Sequence, residues 1–586
     1  MRHLLLFSLL GCFSFSLTSQ NLSPWHFTVR EVRLLKNAGE VLPLRSLTEP
    51  VFWHSDESVF SRTLAKYQLP EEEMAQAKRL ILSCNCNEPA TVSGLRSELK
   101  NIAEEKQVVL ALFGPCQPSE IETFVAQSDA LLYSSAGDAL HQSIAAQIIY
   151  GAIGAIATMQ KSPGPAGSRQ ESLRTAPIHR LGYLPPEAAG MNGRLLEDSI
   201  KAIVEEGIRA GAYPGAQVLV ARKGLVVYHK AFGYMTYDSL QPLSTEAIYD
   251  LASVTKVSST LPALMKLYGE GKLDLDAPLS QYFDFLNHSN KKDLTLRQIM
   301  AHYGRLKPSV VFWKKAQRKN GKWRWGTFKP RQTRRFSVRI TDSLFVNPRY
   351  HRRMYKTIAR LPLEDSLRYL YSDLPFVITP LLVERLTGQP LEEYLKATFY
   401  RPLGAATITY NPLRFFPKER IVPTERDTFF RRQQVHGTVH DENAAILGGV
   451  SGHAGLFASA NDLAKLFQMY LNGGEYGGHR YIAEMAVREF TRCQYCEEGN
   501  RRGLGFDKPP LEYEEGSSYI ARSASKASFG HSGYTGTFVW ADPESELLVI
   551  FLSNRVYLDR SRRALYTRNI RPRLHQACYD AIGVEE

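Results

Sequence analysis

After its first twenty residues the chain has no apolar run long enough to cross a membrane as a helix, so no later segment threads a bilayer in that way. Cysteine is sparse: seven residues, of which Cys84, Cys86, Cys116, Cys493, Cys496 and Cys578 follow Cys12. Their even number allows disulfides in an oxidising compartment without requiring them. "CQYC" (493–496) has C-x-x-C spacing, but no second pair follows to complete a zinc site and no thioredoxin-like pattern surrounds it. That leaves a local disulfide or two free thiols. H-E-x-x-H is also missing. In "QVHGTVHDENA", His436 and His440 are four apart, but Gly437 and β-branched residues break the helix that would align them. With Asp441 and His453 they read as structural or pocket-lining groups, not as a metal site. Acid is nearly absent from residues 307–360, where Asp342 faces seventeen Lys and Arg, a net of +16. The whole chain carries +13, so the remainder is about −3.

What is present begins with "MRHLLLFSLLGCFSFSLTSQ", a basic residue, a short apolar core and small polar residues: an export leader over 1–19. "LLGC" loosely resembles a lipobox, with Cys12 as the lipidated residue, but the stretch after it is still apolar, which favours plain cleavage. The expected compartment is the periplasm or cell envelope. With 44% apolar and 22% charged residues the rest is an ordinary globular chain, too long for one core.

Over 20–160, buried-strand runs ("PVFWHS", "RLILSC", "VVLALFG", "ALLYSSAG") alternate with amphipathic helical patterns, predicting a small parallel α/β layer domain. Residues 161–184 open on a Pro, Gly and Ser-rich linker. Residues 185–586 start with a helix and a hairpin turning at Lys223-Gly224, and close with a second hairpin, "TGTFVWADPESELLVIFLSNR". Strands at both ends with helices between predict an α+β domain: an antiparallel sheet against a helical region.

In "YDLASVTK" a strand-like run ends at Ser253, and Lys256 follows one helical turn on, in a helix that Pro262 should kink. A serine hydroxyl attacks only when a base takes its proton. Lys256 can be that base if burial and a cationic or phenolic neighbour lower its pKa from ~10.4 toward neutrality, a cost of roughly 4 kcal/mol. Later, "YSD" places Tyr371 and Asp373 at a helix start, and "HSGYTG" places His531, Gly533 and Tyr534 at a strand.

The order S-x-x-K, Y-x-D, H-x-G resembles the serine β-lactamase and penicillin-binding-protein superfamily, most closely the class C type and related esterases, over roughly 185–580. The resemblance implies a β-lactamase/transpeptidase-like fold with Ser253 as acylated nucleophile, Lys256 as base and Tyr371 as proton shuttle. It adds His531 to the catalytic residues, puts the backbone N–H groups of Ser253 and Tyr534 in the oxyanion hole, and Gly533 and Asp373 in substrate binding. No cofactor is implied. Two departures stand out. The third motif usually begins with Lys, which helps hold a substrate carboxylate; neutral His531 disfavours carboxylate-bearing β-lactams and points to esters or D-amino-acid amides, as in peptidoglycan fragments. Asp373 stands where Asn is usual and, when ionised, offers no N–H donor.

"REVRLLKNAGEVLPL" and "ALLYSSAGDALHQSIAAQIIYGAIGA" resemble the C-terminal domain of family 3 glycoside hydrolases, the β-N-acetylglucosaminidases. No glycosidase activity is expected from this chain alone, because the glycosidase carboxylates belong to a barrel of at least ~200 residues that the stretch before residue 29 is too short to form. The expected function is an exported serine hydrolase. The alternatives are a non-catalytic cell-wall-binding protein, or an accessory chain of a split glucosaminidase. The basic stretch 307–360, with Trp313, Trp323 and Trp325, suits an anionic envelope surface; no nucleic-acid fold is visible.

Overall fold

The computed structural model describes residues 24–102, 105–157, 159–161, 169–514, 516 and 518–583. The leader at 1–19, Cys12 included, and part of the linker lie outside them.

The N-terminal sheet contains β1 (Arg33–Asn37), β2 (Val51–Phe52), β3 (Arg79–Asn85), β4 (Gln107–Phe113) and β5 (Ala130–Ser134), in the order β1-β5-β4-β3-β2. β2 to β5 pair in parallel, and β1 joins β5 antiparallel at the edge. The central strands are apolar on both faces because both are covered. Leu80, Leu82, Leu110 and Leu112 meet Val92, Leu95, Ile121 and Phe124 of two outer helices. Ile81, Val109, Ala111 and Leu132 face inward, with Ile144 and Ile148 of the Ala139–Ile149 helix. A Cys86–Cys116 disulfide ties the segments following β3 and β4.

The second sheet has six strands, in the order Phe529–Ser532, Phe538–Asp542, Leu547–Ser553, Gly215–Arg222, Leu225–Gly233, Gly182–Tyr183. All pairs are antiparallel except the last, so the expected purely antiparallel sheet gains a two-residue parallel edge, too short to leave a pattern in the sequence. The hairpin does turn at Lys223-Gly224. Both residues have positive φ (52° and 75°), as a two-residue loop between right-twisted strands requires. Alternate residues split the sheet between two cores. Val218, Val220, Trp540 and Phe551 pack under the Gly193–Arg209 and Ile570–Asp580 helices. Leu219, Val539, Ile550 and Leu552 enter the main core with the Ala460–Leu471 helix.

That main core also takes in the inner face of the N-terminal sheet. Polar contacts reinforce the junction. Tyr67 O–H donates to the Leu181 carbonyl oxygen (2.9 Å), and buried Arg180 donates to the carbonyls of Tyr150 (2.9 Å) and Arg45 (2.6 Å). Gly404, at φ 67°, admits the Tyr67 carbonyl so closely that a Cβ would lie 2.0 Å from its oxygen.

The basic stretch is ordered. Phe328–Lys329, Leu344–Val346 and Val338–Thr341 form a three-stranded sheet, followed by the Arg349–Arg360 helix. Trp313, Phe328, Tyr350, Met354 and Ile358 anchor it in the main core.

Pro262 lies inside a continuous helical run over 254–269, and the regular geometry is interrupted just before it by a wide π-turn over Lys256–Thr260, the local irregularity that a proline within a helix brings.

Candidate active site

Ser253 follows a short strand, Tyr249–Asp250, paired with Leu456–Ala458. Ala252 adopts φ 47°, a left-handed conformation that L-residues avoid, and the chain bends sharply just before the serine. Buried Asp250 holds the bend by accepting from the N–H groups of Ala252 (2.8 Å) and His440 (2.6 Å). The His531–Tyr534 segment is locked onto the same bend. Thr535 and Thr537 hydroxyls donate to the carbonyls of Asp250 (2.8 Å) and Leu251 (2.9 Å). A Cβ on Gly533 would lie 2.1 Å from Thr537 Oγ1 and 2.5 Å from the Leu251 carbonyl oxygen, so only glycine fits.

The half-buried Ser253 Oγ accepts from Lys256 Nζ at 2.9 Å and from Tyr371 O–H at 3.2 Å. Lys256 has no exposed surface; its Nζ also lies 2.7 Å from Asp373 Oδ1 and donates to the His453 carbonyl oxygen at 3.2 Å. Among the described residues, the backbone N–H groups of Ser253 and Tyr534 have no hydrogen-bond partner.

The expected fall in the Lys256 pKa is not found. Burial pulls it down, but the Asp373 carboxylate and the Tyr371 phenol outweigh burial and hold the ammonium above the ordinary lysine range. Asp373, expected among substrate-binding groups, instead spends its carboxylate on this lysine.

His531 is buried and neutral. Burial first, then the neighbouring Arg502 and Lys256 charges, push its pKa down to about 3. Its Nδ1 lies 2.7 Å from the Ser532 carbonyl oxygen, so the ring proton sits there, and Nε2 accepts from Arg502 Nη2 at 3.3 Å. Both ring nitrogens are thus committed inside the protein.

Two groups escape a reading of the sequence. Arg502, 2% exposed, lies behind His531, pairs with buried Asp507 at 3.1 Å and sits 5.6 Å from the Tyr371 ring centroid. Asp507 also accepts from Arg501 (2.9 Å) and the Tyr519 hydroxyl. Burial alone would raise its carboxyl, but the two guanidiniums hold it below the usual carboxylate range. His302 accepts the Ser372 N–H on Nδ1 (3.1 Å), its carbonyl accepts the Leu370 N–H (3.0 Å), and its ring lies 4.6 Å from that of Tyr371. It therefore fixes the loop that aims the tyrosine. Burial, then the Arg502 and Lys256 charges, keep it neutral. No motif spacing marks either residue.

The other histidines are tied to separate partners: His440 to Glu425 (2.9 Å), His453 to Asp441 (2.8 Å) and His436 to the Ile421 carbonyl (2.6 Å). Among the described residues no three His, Cys, Asp or Glu side chains are grouped to hold a metal. Cys493 and Cys496 form a disulfide, which decides between the two readings of "CQYC".

The chain is 32% identical over 415 residues to a protein of Escherichia coli O157:H7 described as "Putative D-alanyl-D-alanine carboxypeptidase", covering 66% of this chain and 88% of that one. A Salmonella enteritidis protein of the same description is 30% identical over 64% and 86% of the two chains. Among solved structures, EstCE1, a hydrolase with promiscuous acyltransferase activity, is 17% identical (65% and 99% covered, TM-score 0.47). A penicillin-binding protein homolog from Caulobacter crescentus is 18% identical (67% and 98%, TM-score 0.45), and a class C β-lactamase from Rhodobacter sphaeroides 17% (64% and 98%, TM-score 0.44). The sequence profile of the beta-lactamase family matches residues 200–571, and by that match the chain belongs to this family of serine hydrolases.

Proposed function

We propose that the protein cleaves ester or D-amino-acid amide carbonyls by forming an acyl-enzyme on Ser253. The observation that carries this reading is the convergence on Ser253 Oγ of Lys256 Nζ at 2.9 Å and Tyr371 Oη at 3.2 Å, beside two backbone N–H groups without protein partners. Those two N–H groups would receive the carbonyl oxygen as it becomes an oxyanion; losing one such donor costs about 10²–10³ in rate.

Because Lys256 is held as an ammonium, Tyr371 serves as the base only after its phenolic proton has left to solvent: the phenolate, beside the Lys256 ammonium, then takes the Ser253 proton as Oγ attacks the carbonyl. Tyr371 then protonates the leaving group and afterwards draws a proton from the attacking water. Lys256 is thereby a fixed charge and a proton-network member, with Asp373 as its counterion.

His531 offers the substrate neither a positive charge nor a free donor, which supports ester and amide substrates without a carboxylate at that position. A D-alanyl-D-alanine peptide in peptidoglycan turnover is the second reading, supported by the description of the relatives. Export through the leader at 1–19 belongs to the same proposal.

The test is hydrolysis of a short-chain p-nitrophenyl ester by wild type and Ser253→Ala, with a chromogenic cephalosporin and a D-alanyl-D-alanine peptide in parallel. Ester turnover lost in the variant, with little cephalosporin turnover, is expected. Equal ester turnover by both proteins sinks the nucleophile assignment. Release of D-alanine exceeding ester turnover makes the second reading the right one.

A further inference from the structure

The net charge of residues 307–360 is carried by ordered, exposed side chains. Of the seventeen Lys and Arg there, all but Lys307 are exposed, and only Lys307 and Arg339 have an acidic ion-pair partner among the described residues, leaving fifteen without one. Screening by neighbours is therefore minimal, and the stretch attracts anions over several ångströms.

The Arg349–Arg360 helix organises part of that charge. At 3.6 residues per turn, Arg349, Arg352, Arg353, Lys356 and Arg360 fall within an arc of about 100°. All five are exposed, while Tyr350, Met354 and Ile358 on the opposite side are buried in the core. No acidic residue occurs in the helix.

A groove of about 540 Å³ runs beside this stripe. Arg352 and Lys356 stand on it without an acidic partner, Arg385 is paired there with Asp284 (2.9 Å), and Phe283, Phe285 and Leu381 give it an apolar lining. A separate apolar element is Trp325, 76% exposed, with the Arg335 guanidinium 4.8 Å from its ring centroid. An exposed cationic stripe with an adjoining apolar groove, together with an exposed indole elsewhere in the insert, matches the components of an anionic bilayer surface: phosphate outermost, then glycerol and acyl chain, with tryptophan at the boundary. A nucleic-acid duplex presents phosphate but nothing to fill a groove lined by Phe283, Phe285 and Leu381.

We propose that the insert docks this hydrolase on an anionic phospholipid bilayer, with the Arg349–Arg360 stripe against the phosphates and one lipid headgroup seated between Arg352 and Lys356. Through Ser372, whose hydroxyl donates to the Lys307 carbonyl (2.6 Å), and Asp373, whose N–H donates to the Pro308 carbonyl (2.9 Å), the insert is continuous with the loop carrying Tyr371. Docking therefore sets how the mouth of the site lies relative to the membrane. The inference does not rest on the reaction proposed above.

The test is co-sedimentation of the full chain with phosphatidylglycerol-containing vesicles and with pure phosphatidylcholine vesicles, at low and high salt. Binding only to the anionic vesicles, weakened by salt, is expected. The Arg352→Gln/Lys356→Gln variant should bind about 25-fold more weakly, roughly five-fold per cation removed, with turnover of a soluble ester unchanged. In wild type, and not in Trp325→Phe, indole emission should shift to the blue on vesicle binding. Equal binding to both vesicle types, unchanged binding by the double variant, or preference for duplex DNA or peptidoglycan sacculi over anionic vesicles each overturns it.

Discussion

Two fully buried cations flank Tyr371, Lys256 5.2 Å and Arg502 5.6 Å from its ring centroid, and they are built differently. Lys256 donates to the candidate nucleophile, and its counterion Asp373 has a side chain 28% exposed. Arg502 donates to His531, and its counterion Asp507 is buried under Arg501 and Tyr519. The first pair reaches solvent through Asp373, so approach of a substrate to Ser253 changes its solvation. The second is sealed and works as scaffold, fixing the His531 tautomer from behind. A buried charge near a reactive serine is thus not by itself a reactive charge; what separates the two is whether its partner can still exchange with water.

The comparison breaks most decisively at Lys256. Lys256→Ala should lower kcat/KM for a p-nitrophenyl ester by about 10³-fold, the scale of a lost preorganised charge beside the reacting atoms, while thermal unfolding moves little. If turnover survives within a few-fold, Lys256 is scaffold too, and the contrast collapses.

Arg502→Gln should do the reverse. It leaves Asp507 in a sealed site with only Arg501 as counter-charge, so the expected loss is about 3 kcal/mol of stability, read by denaturant unfolding. Turnover by the folded fraction should stay within about ten-fold of wild type, because no proton passes through it. A kinetic loss matching that of Lys256→Ala would place Arg502 in the reaction.

Asp373→Asn sharpens the first pair. Without the carboxylate, burial dominates and the lysine pKa falls. Activity should then acquire a descending alkaline limb as the ammonium deprotonates, absent from the wild-type pH–rate profile. An ascending limb in the same window would instead make neutral Lys256 the base.

The smallest effect concerns His531. Its folded pKa, about 3, lies below the unfolded value near ~6.5, so between them the unfolded chain takes up a proton that the folded one refuses. Stability is fully present above the unfolded value and is lost as the pH falls, by at most about 1.4 kcal/mol per pH unit for this group. His531→Asn should flatten the slope between about pH 6 and 5, where ordinary carboxylates are still ionised. An unchanged slope would mean that the ring is not sealed.

Ser253, Lys256, Tyr371 and the His531–Tyr534 segment could be picked from the sequence because three short motifs occur in a fixed order, and the Lys223-Gly224 hairpin because its turn chemistry is local. The charge state of Lys256 could not, since it depends on a 2.7 Å approach by a residue 117 positions away. Arg502 sits in "NRRGLGFD", where two adjacent arginines read as solvated surface, and its 29-residue separation from His531 carries no periodicity. The short parallel edge at Gly182–Tyr183 and the antiparallel β1 are set by tertiary contacts. The basic stretch gives its charge by counting, but the burial of Trp313, Phe328 and Met354 beneath it shows only in three dimensions.

The inner face of the N-terminal sheet shares one apolar core with the hydrolase domain, and the Tyr67 carbonyl is seated against Gly404. A protease cutting the backbone between residues 161 and 169 would therefore not release two particles. The nicked protein should elute and melt as a single species, and the hydrolase half expressed alone would present to solvent the apolar surface that the missing half normally covers.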